Sequence, residues 1–193
     1  MSATLHTSMT LAQFLVWEKK QEPRYEFDGF QPIAMTGGTP AHDRITFNLR
    51  KVLEARLAGN AWQSLGPNTK IIADGRARYP DAIVVSGPVS PAITIAGNPI
   101  IVFEVLSDGT ANTDLIDKNR EYRAMSSVQR YVILQQSHAA AIVFVRAGQD
   151  WLSEIVTGDA AALHLPEIGI DAPLEEIYAQ VALRHHPAND PRE

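Results

Sequence analysis

The run Ile100-Ile-Val-Phe-Glu-Val-Leu106 constrains the fold more than any other stretch of the chain. Apart from one glutamate it is wholly apolar. A strand of that kind has both faces covered and belongs at the centre of a sheet. The flanking sequence supplies neighbours for it. Trp62–Leu65, Thr69–Ala73 and Asp81–Val85 read as strands before it, and Arg130–Gln135 and Ala140–Arg146 after it. Trp151–Val156 adds a further candidate strand. Covering helices follow from apolar spacing. Ile45, Leu49, Val52, Leu53 and Leu57 recur at helical intervals between Ala41 and Leu57, and a second helix is expected from Asn112 to Ala124. Thr10-Leu-Ala-Gln13 is a capping box opening a short N-terminal helix. Asp28-Gly29 marks the turn of a hairpin between Tyr25–Phe27 and Phe30–Met35. Leu174–Val181 suggests a short closing helix. The order helix, strands, helix, strands predicts an α/β or α+β fold on a mixed sheet flanked by helices. A chain of 193 residues is expected to form one domain, here 1–183, with the polar segment 184–193 as a flexible tail.

The absence of cysteine excludes disulfides, thiolate zinc sites, iron–sulfur clusters and cysteine nucleophiles. No apolar stretch approaches the roughly 20 residues of a membrane helix. No basic patch precedes an apolar segment at the N-terminus, so no signal peptide, no membrane partner and a cytoplasmic location are expected. The formal charge is −5, but it is unevenly spread. Between Arg44 and Arg130 there are 11 Lys and Arg against 8 Asp and Glu, and elsewhere 6 against 14. That leaves room for a locally basic surface able to attract a polyanion, and equally for an ordinary mixed surface.

Two carboxylates fall where a strand should be apolar. Alternation puts Glu104 on one face with Ile100, Val102 and Leu106, and Asp81 on one face with Ile83 and Val85. A buried carboxylate has to be protonated, paired or bound to a cation. Two of them on neighbouring strands would suit Mg²⁺, which takes few carboxylates together with water and phosphate oxygens. Two separate ion pairs with arginines would serve as well. On the second helix Leu115, Lys118, Tyr122 and Met125 form one stripe, which aims Lys118 at the sheet and level with Glu104. Asp117, Arg120, Glu121 and Arg123 read as the solvated face. Asp114, one turn before Lys118, is placed either to pair with the lysine or to orient it.

Pro80-Asp81, Glu104 on an apolar strand and a nearby lysine resemble the PD-(D/E)XK superfamily, with its restriction-endonuclease-like fold. The chain is more specifically similar to the Uma-two family of candidate endonucleases. That resemblance is carried by Tyr25-Glu26-Phe-Asp28-Gly29, His42, Tyr79-Pro-Asp81, Glu104-Val-Leu-Ser107, Thr110, Asp114, Lys118, Tyr122 and Arg130-Tyr131, and spans about residues 10 to 145. One departure matters. The superfamily lysine usually stands two residues after the acid, where this chain has Leu106, and Lys118 takes over from the helix. The resemblance implies a Mg²⁺- or Mn²⁺-dependent endonuclease acting on DNA. Asp81, Glu104 and the Val105 backbone carbonyl would hold the metal, and Lys118 would position water or offset charge at the phosphate. Cutting both strands of a duplex favours a homodimer. Glu26 and His42 match family positions as well. Glu26 is either an extra ligand or a hairpin surface charge, and His42 either contacts phosphate or caps its helix. A catalytically silent module on the same fold and a hydrolase of a small phosphoester are the rival readings.

Overall fold

The computed structural model describes residues 8–106, 113–158 and 160–183. Ser107, Thr110, the tail 184–193 and the side chain of Asp114 lie outside the described residues. Helix α1 (Leu11–Glu18) opens on the expected capping box, with Thr10 and Gln13 exchanging hydrogen bonds. Strands β1 (Tyr25–Phe27) and β2 (Pro32–Ala34) form the expected hairpin, but its connection is Asp28–Gln31 rather than Asp28-Gly29 alone. The Asp28 carboxylate accepts from the amides of Phe30 and Gln31 and builds the wider turn. Helix α2 (Pro40–Leu57) begins with a proline behind the Thr39 cap.

Strands β3 (Trp62–Leu65), β4 (Lys70–Ala73), β5 (Arg76–Arg78), β6 (Ala82–Ser86), β7 (Ile95–Ala96) and β8 (Ile101–Val105) follow. Strand β5 was not expected. Asp74 and Gly75 adopt φ of 49° and 73°, and Ala73 pairs with Arg76 across them. The two-residue turn thereby makes a hairpin of β4 and β5. Further along, Thr113–Lys118 winds as a π-helix and α3 (Asn119–Ala124) continues it, so the predicted single α-helix changes its winding at Lys118. Strands β9 (Arg130–Leu134), β10 (Ala140–Ala147), β11 (Asp150–Thr157), β12 (Ala162–Leu165) and β13 (Ile170–Pro173) and helix α4 (Leu174–Ile177) complete the order, the β12–β13 hairpin being unforeseen.

The central six-stranded sheet runs β11-β10-β9-β8-β6-β3, and a five-stranded sheet runs β2-β1-β5-β4-β7. Strand β8 lies inside the larger sheet, parallel to β9 and antiparallel to β6. Its five residues are all buried, as a strand covered on both faces demands. Ile101, Phe103 and Val105 pack under α2 residues Leu49 and Leu53 and under Leu174 and Ile177. Val102 points the other way, into a cluster with Ile83, Ile133, Tyr131 and Tyr122. Glu104 shares that second face, between the large sheet and α3.

Candidate active site

Asp81 immediately precedes β6. Extending the pairing of Ala82 with Phe103 by one residue sets Asp81 opposite Glu104. The Asp81 side chain turns back onto β8, where its Oδ2 accepts the Val105 N–H at 2.7 Å. His42 Nε2 lies 3.2 Å from the same oxygen. Asp81 Oδ1 has no hydrogen-bond partner among the described residues. The helix cap is Thr39, whose hydroxyl accepts the His42 N–H at 3.1 Å, so the imidazole is not the cap and reaches the carboxylate instead. Gly38 leaves room for it. A Cβ there would stand 3.1 Å from His42 Nδ1.

Glu104 is 4% exposed. Its Oε1 accepts from Lys118 Nζ at 3.0 Å and from the Tyr122 hydroxyl at 2.8 Å. Lys118 therefore comes level with the acid, as its place on the sheet-facing stripe predicts. Leu115 and Met125 of the same stripe pack at the second core cluster. Tyr122 is fully buried and stacks edge-on against Tyr131, with centroids 5.0 Å apart. Burial, and then the Glu104 charge, holds its phenol well above the usual tyrosine range, so it serves as a fixed donor.

Glu26 is buried and is not a hairpin surface charge. Its Oε1 accepts the Tyr79 N–H at 3.1 Å and stands 3.6 Å from Lys118 Nζ. Its Oε2 accepts from Arg78 Nη1 at 3.0 Å. Arg78 also forks onto Glu121, at 2.7 and 2.8 Å. Burial alone would lower the pKa of this guanidinium, but the Glu121 hydrogen bond and the Glu26 charge outweigh it and raise it. Glu121 is fully buried, which corrects its reading as part of the solvated face. Its place three residues after Lys118, on the same side of the helix, was the available signal. The site's neighbour without a sequence signal is Arg78, and Tyr79 and Tyr122 show their hydrogen-bonding roles only in the structure. Arg78 and Tyr79 lie at the end of the unrecognised strand β5 and just after it, and Glu121 and Tyr122 on α3.

The structure thus brings together Asp81, Glu104, Lys118, Glu26 and His42, with Val105 donating its amide to Asp81. Among the described residues no arginine pairs with Asp81, whose partners are His42 and the Val105 amide. Among the described residues no group of three or more His, Asp or Glu is disposed to hold a metal ion by side chains alone.

Residues 11–175 match the Uma2 family model, described as "Putative restriction endonuclease". The chain belongs to the Uma2 family. Two relatives are proteins of Synechocystis sp. Uncharacterized protein sll1609 is 26% identical over 163 residues, 80% of this chain and 91% of its own length. Uncharacterized protein slr1290 is 27% identical over 175 residues, 88% of this chain and 91% of its own. The Uma2 chain also resembles the crystal structure of a putative nuclease belonging to DUF820 from Anabaena variabilis, with a TM-score of 0.72 and 15% identity, over 88% of this chain and 97% of that one. At that identity the likeness is one of fold, and it agrees with the mixed α/β nuclease architecture expected from the sequence. Among the described residues no helix is long and apolar enough to cross a membrane.

Proposed function

We propose that this Uma2 protein is a metal-dependent endonuclease that hydrolyses DNA phosphodiester bonds. The observation that carries the reading is the meeting of two buried carboxylates, Asp81 and Glu104, at the ends of paired strands, with the Lys118 ammonium on Glu104. Structural acids on a sheet face gain nothing from facing each other, whereas a cation between them removes the repulsion.

The donor set fits Mg²⁺ or Mn²⁺. Asp81 and Glu104 offer hard oxygens, Asp81 Oδ1 is unengaged among the described residues, and the backbone carbonyl of Val105, whose amide meets Asp81, would be a third donor. Such ions are held by one or two carboxylates, the remaining positions falling to water and phosphate oxygens, so a site without a side-chain cage among the described residues is in keeping with them. When bound, the ion supplies charge stabilisation at phosphorus and a more acidic water.

The chain's own residues do the positioning. Tyr122 and Lys118 fix Glu104 from one side, and the Val105 amide and His42 fix Asp81 from the other. Lys118 brings a positive charge to the edge of this pair, where it would orient the attacking water or offset charge on the phosphate. Cleavage of both strands calls for two such sites, which a homodimer would provide. The test is plasmid and single-stranded DNA with Mg²⁺, Mn²⁺ or EDTA, using wild type, Asp81→Ala and Glu104→Ala. Metal-dependent cleavage lost in both variants supports the reading. Hydrolysis of a small phosphodiester with every DNA left intact would transfer the site to small phosphoesters, as the net charge of −5 would better suit. No hydrolysis of either would leave a silent module.

A further inference from the structure

Among the described residues two carboxylates stand near Lys118, and it sits closer to one of them. Its Nζ is 3.0 Å from Glu104 and 3.6 Å from Glu26. All three side chains are buried, so solvent screens this competition little. Two acids sharing one ammonium draw it to whichever is less satisfied by its other partners. Glu26 has a second cation beside it, since Arg78 donates to it at 3.0 Å.

Arg78 acts on Lys118 by a second route as well. The lysine ends a π-helical turn, Thr113–Lys118, and α3 takes over at Asn119. A π turn with its i→i+5 bonds is rare, and contacts outside the helix help to hold it and the side chains it projects. One contact is Tyr122 on Glu104. Another is Glu121, which Arg78 grips through Nε and Nη2. Arg78 is itself 3% exposed and stands on β5, in the smaller sheet, so it ties that sheet to the lysine-bearing helix.

We propose that Arg78 is a positioning residue for Lys118. It neutralises Glu26 so that the ammonium stays on Glu104, and it pins the helix through Glu121. This role rests on the nuclease reading for its effect on rate, but not for its effect on where the lysine sits. Arg76 Nε, 3.2 Å from Glu121, remains to hold that acid when Arg78 is changed, which makes the variant workable.

The experiment compares Arg78→Gln with Arg78→Gln/Glu26→Gln, by crystal structure and by plasmid cleavage. In Arg78→Gln, Lys118 Nζ should move to Glu26 and away from Glu104. Turnover should fall about 10²-fold, the scale of a misplacement near 1 Å, while the Mn²⁺-induced rise in melting temperature persists. Removing the competing charge in the double variant should return the ammonium to Glu104 and recover at least about tenfold of the loss. A merely structural ion pair predicts the opposite, since the second substitution deletes a further buried contact. Lys118 unmoved in Arg78→Gln, or a folded double variant no faster than the single, overturns the proposal. Should Arg78→Gln not fold, Arg78→Lys restores charge without the fork. Lys118 then stays on Glu104 if the proposal holds, with partial activity, and leaves it if the proposal fails. A wild type inactive on DNA whose lysine still moves as described retires the nuclease reading and upholds the clamp.

Discussion

Tyr122→Phe removes one oxygen and leaves the ring in place. The lost group is a fully buried hydroxyl donating to Glu104 at 2.8 Å, and the edge-on contact with Tyr131 at 5.0 Å is retained. No cavity larger than a hydroxyl opens, so the cost is that of the hydrogen bond alone. Bonds to a charged acceptor contribute about 1.5–3 kcal/mol. Glu104 keeps Lys118, which argues against a larger loss. For a chain of this size each kcal/mol shifts the melting temperature by about 2–4 °C, giving a fall of about 3–12 °C. Urea unfolding should show a lower midpoint and an unchanged slope, because the surface exposed on unfolding is the same. A variant within about 0.5 kcal/mol of wild type, the range of an inconsequential surface substitution, would refute the role given to this phenol.

Asn48 donates from α2 to the carbonyls of Ile177 and Ala179 at 3.0 and 2.8 Å. Asn48→Ala should cost about 2–4 kcal/mol in urea unfolding, about 1–3 for the buried Ile177 carbonyl and about 1 for that of exposed Ala179. The Tyr178 phenol is pushed upward by burial, and its folded value exceeds the unfolded one. Its stabilising contribution is complete below the unfolded value near 10 and is lost as pH rises from there towards the folded one. Wild type should therefore lose stability above about pH 10, and Tyr178→Phe should lose about 1.4 kcal/mol less per pH unit; parallel curves would contradict this. Lys118→Ala should reduce cleavage about 10²–10⁴-fold, and adding Leu106→Lys, on the same strand face as Glu104, should restore part of it. Full cleavage by the single variant would leave Lys118 a structural partner only.

Asp81, Glu104 and Lys118 were legible because each breaks a strong local pattern. Two acids interrupt strand alternation, and a lysine sits on the sheet-facing stripe of a helix. The capping box and α2 were legible for the complementary reason, that local signals agreed with the packing. Strand β5 was not. Its three residues, Arg76-Ala-Arg78, carry two charges, and only tertiary burial turns them inward. With β5 hidden, the partner of Glu121 was hidden too, and a fully buried glutamate was assigned to solvent. The π-helical turn left no trace in the spacing of apolar residues. The Glu26 side chain could be placed only once β1 was seen to pair with β5, since Phe27 opposite Ala77 brings the acid beside Arg78.

The account centres on Asp81 and Glu104 holding one divalent cation. Calorimetric titration of Mn²⁺ into wild type, Asp81→Ala and Glu104→Ala, each checked for folding, tests it most directly. The account predicts a single saturable site in wild type that is lost in both variants, with melting temperature rising on Mn²⁺ addition only in wild type. Equal binding by all three folded proteins would contradict it.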